Sequence, residues 1–466
     1  MLTCVNEARR RPDDCAPMQA DLITRYDQRV PRYTSYPTAP HFGADVDGGV
    51  YAGWLEALDE TTTLSLYLHV PFCAELCLYC GCHTTVARRY GPVAAYVELL
   101  LREITLAAAQ LPGRFAVSHI HWGGGTPTIL APEDLLRVTE ALRSHFSVRD
   151  DAETAIEIDP RTLAAEHVPA LAAMGVTRAS LGVQDFDPKV QRAIGRTQSY
   201  AQTARAAGWL GLAGARSLNL DLIYGLPHQT VESVVASVGQ ALRLGPDRIA
   251  LFGYAHVPWM KKHQKLLPED ALPDTAERLA QMQAATDAIT SAGYVAIGLD
   301  HFAKPGDALA RARAEGRLHR NFQGYTTDAA PALIGFGTSA IGSLPQGYVQ
   351  NAATTVAYRD ALTAGRLPIA RGIVLTSEDR LRRAVIERLM CDLAVDLAAV
   401  AAIHGRPAHV FAGELPALDR MAADGILQRD GWRIAVPDSA RLYVRNVCAV
   451  FDARLAEGQA RYSRAL

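Results

Sequence analysis

Four of the chain's eight cysteines, Cys73, Cys77, Cys80 and Cys82, fall within ten residues, and their spacing is the strongest chemical signal in the sequence. Cys73-x3-Cys77-x2-Cys80 offers three thiolates from one loop, the closely spaced supply that holds iron–sulfur clusters. Three ligands for four irons leave one iron open to a substrate or cofactor. Structural zinc usually takes two separated pairs of ligands, and no second pair is present. Cys82 could complete a four-thiolate zinc site, but four donors on so short a loop would strain a tetrahedral shell. These residues therefore favour a 4Fe–4S cluster on Cys73, Cys77 and Cys80, with zinc as the rival metal. Cys4, Cys15, Cys391 and Cys448 are scattered and read as small buried side chains or terminal thiols.

A second candidate is the glycine run Gly123–Thr128, GGGTPT. Glycines let backbone approach a ligand closely, and successive N–H groups can cradle a carboxylate. The spacing is not G-x-G-x-x-G, so a dinucleotide is not implied, and a glycine run taken alone is more often just a turn.

The elements that must position these residues read as strands alternating with helices. Leu64–Val70, Ser118–Trp122, Thr154–Ile158, Arg178–Val183, Leu218–Tyr224 and Arg248–Gly253 are short β-type runs. Helical patterns separate them, including Pro92–Gln110 and a segment beginning near Pro132 with Glu133 and Asp134 in its first turn. A spacing of about 25 to 40 residues is that of repeated βα units. The fold class is α/β, an incomplete parallel (βα)6-type barrel, with a doubly wound open sheet as the alternative. Either puts the ligand site at the carboxyl ends of the strands. The segments CAELCLYCGC, GGGTPT, EIDPR, VQDF and DLIYGLP all fall there.

From about Thr376 the pattern becomes mostly helical. Glu378–Leu397, Leu415–Ala423 and Ala440–Leu455 read as helices, with a ribbon around Asp430–Gly431. The expected division is an N-terminal leader and substrate-side segment over residues 1–50, a barrel over 51–370, and a small winged-helix-like domain over 371–466. With 49% apolar and 21% charged residues the 466-residue chain is ordinary globular material, and a net charge of -2 gives no case for nucleic acid. No apolar run approaches the ~18 residues of a membrane span. The N-terminus lacks the apolar region of a secretory signal, so the expected location is cytoplasmic.

Longer strings carry a resemblance. YLHVPFCAELCLYCGCHT, HWGGGTPT, IEIDPR, LGVQDF, NLDLIYGLPHQT, YAHVP, GLDHFA, HRNFQGYTT and PRYTSYPTA together are similar to the oxygen-independent coproporphyrinogen III oxidases of the radical S-adenosylmethionine superfamily. The similarity runs from about residue 20 to the C-terminus. It implies oxidative decarboxylation of two propionates of coproporphyrinogen III to the vinyl groups of protoporphyrinogen IX. It also implies two S-adenosylmethionine molecules in one site, a flavodoxin-type electron donor and a monomer.

By the same resemblance Cys73, Cys77 and Cys80 are cluster ligands. Cys82 lies beside the second S-adenosylmethionine, and with Tyr67, which touches the first, forms the candidate catalytic pair. Gly124, Glu157, Ala255 and Ile341 match further contacts of the first molecule. Tyr79, Gly125, Thr126, Gln184, Arg196 and Asp221 match contacts of the second. Tyr79 stands where a phenylalanine is common, a departure that leaves a backbone contact open. Chemically, Asp221 and Glu157 can accept from ribose hydroxyls or an ammonium group, and Arg196 can grip a carboxylate. His69 and His121 are equally catalytic candidates or packed histidines, and Arg32, Lys261, Lys262 and Lys265 are candidates for the substrate carboxylates. A heme-delivering branch of the superfamily is the rival reading. That branch typically lacks the cysteine of position 82 and the PRYTSYPTA segment, and this chain has both.

Overall fold

Alternation within the strands decides which side of the sheet meets the helices. In this computed structural model, which describes Leu22, residues 25–455 and Tyr462, six strands follow one another as βα units. They are β1 (Leu64–Val70), β2 (Ala116–Gly124), β3 (Ser147–Ile158), β4 (Arg178–Gln184), β5 (Ser217–Tyr224) and β6 (Arg248–Gly253). One face carries Leu66, Leu68, Trp122, Ile156, Leu181, Leu220 and Ile249, all buried in one apolar cluster. Helices α1 (Gly91–Ala108), α2 (Pro132–His145) and α3 (Val231–Arg243) add Leu100, Leu142 and Val238 to it. The opposite face is polar. Register places Tyr67 beside His121, Glu157 beside Ser180, Ser180 beside Asn219, and Gly182 beside Asp221. A period of two over six adjacent strands therefore lines one side of the sheet with groups that can bind or ionise.

All five neighbouring pairs of these strands are parallel, as the βα spacing requires. The sheet continues past them. β7 (Val295–Ile297) and β8 (His301–Ala303) extend the β6 edge antiparallel. β9 (Ala332–Phe336) joins β1 in parallel, and β10 (Ile341–Leu344), β11 (Gly347–Asn351) and β12 (Ile369–Val374) follow antiparallel. The order β12-β11-β10-β9-β1-β2-β3-β4-β5-β6-β8-β7 has two ends, so the sheet is open, as an incomplete barrel must be. Among the described residues β12 meets only a single bridge to Gly43 on its outer side.

The chain separates into two units, His41–Thr376 and a second made of Met1–Pro40 with Ser377–Leu466. The N-terminal segment thus groups with the C-terminal residues, a different partition from the three consecutive blocks expected. Within the second unit the Tyr33 hydroxyl donates to Asp452 at 3.0 Å, and Arg445 donates to the carbonyls of Val30 and Pro31 at 2.5 and 3.0 Å. The leader itself lies, apart from Leu22, outside the described residues up to position 24. The helix expected over Glu378–Leu397 stops at Asp392. Leu393 turns left-handed at φ 57°, and Ala394–Asp396 then pairs with the hairpin strand Arg433–Ala435. Leu415–Ala423 is a helix with the expected bounds, whereas the last helix is a 3-10 turn over Asp438–Tyr443 followed by Val444–Val450.

Inside the first unit Glu103 of α1 is buried and receives the Gly337 N–H, the Asn351 side-chain N–H and the Tyr358 hydroxyl, each at 2.6 Å. Burial outweighs these three donors and pushes its carboxyl up to about 7. Glu103→Ala is expected to lower stability by about 1–3 kcal/mol by orphaning the donors. The carboxyl holds a proton in the folded chain that the unfolded chain releases above about 4.5, so wild-type stability falls as pH rises towards 7. Calorimetry should therefore find the gap between wild type and variant narrowing from acid to neutral pH.

Candidate functional site

The cysteine loop begins at the carboxyl end of β1, and backbone bonds bind it to its neighbours before any side chain takes part. Phe72–Cys73 runs parallel to Thr85–Val86, with the Ala87 N–H on the Cys73 carbonyl at 3.0 Å. The Gly125 N–H donates to Val70 and the Thr126 N–H to Phe72, both at 2.8 Å. Leu78 donates to the Ile194 carbonyl at 2.9 Å. The segment after β6 holds the far side. Lys261 Nζ donates to the Cys82 carbonyl at 2.8 Å, and Gln264 Nε2 to Tyr79 at 2.9 Å and to Ala255 at 3.2 Å. His263 Nε2 bonds the Cys80 carbonyl at 2.8 Å.

Glycine chemistry is decisive at Gly125. A Cβ there would stand 2.3 Å from the Phe72 carbonyl oxygen and 2.9 Å from Cys73 Sγ. Gly124, at φ 111°, adopts the left-handed region that side chains disfavour, and a Cβ would meet the Val70 carbonyl at 2.8 Å. The run is thus more than a turn: it is the surface against which Cys73 is packed.

The thiols differ. Cys77 is buried, Cys73 and Cys80 are half-buried and Cys82 is exposed. Burial pushes Cys73 up to about 12, with Cys80 and Cys77 adding in the same direction. Cys80 is drawn down to about 6, first by its hydrogen bond from Cys82, whose N–H also donates to Cys80 Sγ at 3.4 Å. The three thiols of the motif are therefore within electrostatic reach of one another. Among the described residues, though, no three ligating groups lie close enough to share a single metal ion. A zinc ion with Zn–S bonds of about 2.3 Å draws its sulfurs together, whereas a cluster gives each thiolate its own iron. Three thiolates from one loop are the donor set that a closely spaced cysteine run gives an iron–sulfur cluster.

Beneath Cys77 lies a network of buried charge. Arg161 and Arg196 each point an Nη at Cys77 Sγ at 3.4 Å. Arg196 binds Asp159 through two nitrogens at 3.1 Å and the Gly182 carbonyl at 2.6 Å. Arg161 reaches Asp159 at 2.7 Å and Glu75 at 2.9 Å. Burial alone would raise the Asp159 carboxyl, but Arg196 and Arg161 hold it below its usual range. The fork of Arg196, expected to grip a cofactor carboxylate, is thus occupied by Asp159, and its buried Nε has no partner.

On the polar face, the Tyr67 hydroxyl lies 3.0 Å from His69 Nδ1, and His69 Nε2 lies 3.0 Å from the His83 carbonyl. A carbonyl only accepts, so His69 carries its proton on Nε2 and Tyr67 donates to Nδ1. Burial lowers His69 and lifts Tyr67 well above its ordinary value, so both stay neutral. His121 Nε2 bonds Glu157 at 3.0 Å, and the Gly124 N–H reaches the other carboxylate oxygen at 3.3 Å. These contacts overcome burial and keep Glu157 below its usual range. Asp221 accepts from Ser180 at 3.0 Å and Asn219 at 2.7 Å, yet burial, then Glu157, push it up to about 6.

The remaining residues fall on the same rim with mixed fates. Gln184 ends β4 at φ 69°, and its side chain covers Gly182. The Thr126 hydroxyl is buried and accepts the Asp159 N–H at 3.0 Å. Ile341 opens β10, its carbonyl over Gly335, which is in register with Tyr67. The Tyr79 and Ala255 carbonyls both go to Gln264. Lys261 is spent on Cys82 rather than left for a substrate carboxylate. Sequence reasoning passed over Asp159, Arg161, His263 and Gln264. Asp159 and Arg161 stood in IEIDPR beside Glu157, whereas nothing in the run after β6 marked His263 or Gln264 as partners of the loop.

Comparison with known proteins agrees with this geometry. Residues 67–241 match the Radical SAM superfamily and residues 375–443 the HemN C-terminal domain. A parallel sheet with a three-cysteine loop after its first strand, and these matches, make the chain a radical SAM enzyme. It is 52% identical over 450 residues to an oxygen-independent coproporphyrinogen III oxidase of Bradyrhizobium diazoefficiens, covering 96% of this chain and all of that one. It is 41% identical over 455 residues to the Pseudomonas aeruginosa enzyme of the same name, covering 96% and 98%. The solved coproporphyrinogen III oxidase (HemN) of Escherichia coli superposes with a TM-score of 0.87 at 38% identity, over 92% of this chain and all of that one. The chain belongs to the oxygen-independent coproporphyrinogen III oxidases.

Gly125→Ala is expected to force Cys73 and Phe72 aside at a cost of about 1–3 kcal/mol. In the metal-free protein this should appear as a lower melting temperature and faster reaction of Cys73 with a thiol reagent; unchanged reactivity would mean the turn relaxes freely.

Proposed function

We propose that Cys73, Cys77 and Cys80 hold a 4Fe–4S cluster whose open iron takes S-adenosylmethionine, and that two such molecules serve the oxidation of coproporphyrinogen III to protoporphyrinogen IX. One observation carries the reading: three thiols on one loop after the first parallel strand, with Gly125 packed on Cys73 Sγ and no side chain between. Held there, cluster and cofactor would supply a 5′-deoxyadenosyl radical, the hydrogen-abstracting chemistry that converting a propionate to a vinyl group requires.

The chain's own residues bind and orient. Gly124 and Gly125 bring backbone up to the loop with no Cβ in the way. Glu157, kept ionised by His121 and Gly124, offers acceptor capacity to an ammonium or to ribose hydroxyls. Tyr67, fixed by the neutral His69, presents a phenol that cannot ionise near neutral pH. Arg196 has its Nε–H left for an anionic group. Cys82 is exposed beside Cys80, with its backbone N–H on Cys80 Sγ at 3.4 Å. That suits a residue near the second S-adenosylmethionine that is not itself an iron ligand. A reducing cytoplasm, where free thiols persist, is the matching compartment.

The deciding assay is anaerobic incubation of reconstituted protein with dithionite, S-adenosylmethionine and coproporphyrinogen III. Vinyl product and 5′-deoxyadenosine are expected together; 5′-deoxyadenosine without vinyl product would favour the heme-delivery branch. Cys73→Ala should lose its iron, whereas Cys82→Ala should keep iron and lose turnover, and iron loss in the Cys82 variant would mean the ligands are misassigned.

Asp221 must be ionised to attract a cationic ligand, so S-adenosylmethionine affinity should rise as pH climbs through about 6. Equilibrium dialysis should find that Asp221→Asn binds about tenfold more weakly at pH 8 and loses this rise, since a lost charge-assisted contact is worth roughly 1.4 kcal/mol or more.

A further inference from the structure

A groove of about 850 Å³ runs along the outside of the cysteine loop. Its walls come from the residues that follow Cys73 and from the strand that returns beside them, ending in Arg88 and Arg89. Its lining includes Phe72 and Ala74, the neighbours of Cys73 in sequence, and Ala87, whose N–H donates to the Cys73 carbonyl at 3.0 Å. Nothing in the polar face described above uses it.

Its chemistry is uneven in an informative way. Leu76 and Val86 are exposed large apolar side chains, at 39% and 37%. Glu75, the acidic group of the lining, is already paired with Arg161 at 2.9 Å. Arg88 and Arg89 are exposed, and among the described residues neither has a hydrogen bond or ion pair. Two unpartnered guanidinium groups therefore stand beside an apolar strip, the pattern of an interface with an acidic partner: apolar centre, charged rim. Free cations at a rim set the approach and orientation of a partner more than its final affinity.

Position says what the partner carries. Resting on the proposed cluster, which must be supplied with electrons from outside the chain, we propose that this groove docks an acidic one-electron carrier protein that reduces the cluster through the Cys73 side of the loop. Electron transfer falls steeply with distance, and here an exposed wall and a ligand backbone are joined by a single hydrogen bond. Each docking event moves one electron: the carrier is oxidised by one and the cluster reduced by one. None of the polar-face residues proposed to meet cofactor lines the groove, so a carrier docked there leaves them free.

The test compares wild type with Arg88→Glu combined with Arg89→Glu, using a flavodoxin as the probe. Binding is read by fluorescence anisotropy on both the iron-free and the reconstituted protein, and 5′-deoxyadenosine formation is driven in parallel by reduced flavodoxin and by dithionite. Reversal should weaken flavodoxin binding and raise its KM by at least about tenfold, leaving the dithionite rate unchanged. Wild-type binding should also weaken steeply between about 50 and about 300 mM salt, and the variant's should not. Unchanged binding in the variant overturns the proposal, as does weakening by reversal of Lys262 and Lys265 but not of the arginines. Should the double reversal lose iron, Arg88→Gln with Arg89→Gln makes the same comparison. Wild-type protein that yields no 5′-deoxyadenosine even with dithionite would instead sink the cluster reading, while anisotropy on the iron-free protein still judges the groove.

Discussion

Three thiols on one short loop repel one another once ionised, and left to themselves they would drift apart or oxidise to disulfides. What prevents this is a set of hydrogen bonds that grips the loop's backbone at Phe72, Cys73, Leu78, Tyr79, Cys80 and Cys82. The partners come from four places far apart in sequence: the glycine run after β2, the strand at Thr85–Val86, the end of the short helix Pro188–Ala193, and the segment after β6. With the backbone immobilised, side chains need only adjust the electrostatics. Arg161 and Arg196 bring positive charge to Cys77, and Asp159 keeps those two cations from repelling each other. Truncating one member of such a buried set strands the others, which is why it acts as a unit.

The same economy appears on the polar face. Each strand contributes one or two groups, and neighbours complete them: His121 for Glu157, His69 for Tyr67, Ser180 and Asn219 for Asp221. Two carboxylates in related surroundings end up on opposite sides of the ordinary range. Glu157 faces a histidine and a backbone N–H, whereas Asp221 has neutral donors and the charge of Glu157. Environment alone separates a permanently ionised acceptor from one that titrates near neutrality.

Much of this was legible in the sequence. The bounds of β1 and β6 were readable to the residue because each is a short β-rich run between turn signals, and the period of two already separated Leu66 and Leu68 from Tyr67 and His69. β7 to β12 were not readable, since runs of three to six residues with glycines lack a period long enough to recognise. The helix break at Leu393 was equally hidden, because a left-handed leucine follows from tertiary packing and not from local preference.

What the amino acids determined unaided was the chemistry: a cysteine spacing with three ligands and an open corner, a glycine run beside it, and a βα rhythm that sends both to one rim. What only tertiary structure decided was the use each polar group is put to. Arg196 looked like a clamp for a ligand and spends its fork on Asp159; Lys261 was a candidate for a substrate carboxylate and holds the Cys82 carbonyl. A hydrogen-bond partner depends on which residues fold to within about 3 Å of one another, and Gln264 meets Tyr79 across 185 positions. Residue type sets what a side chain is able to do, and packing sets what remains free for it to do.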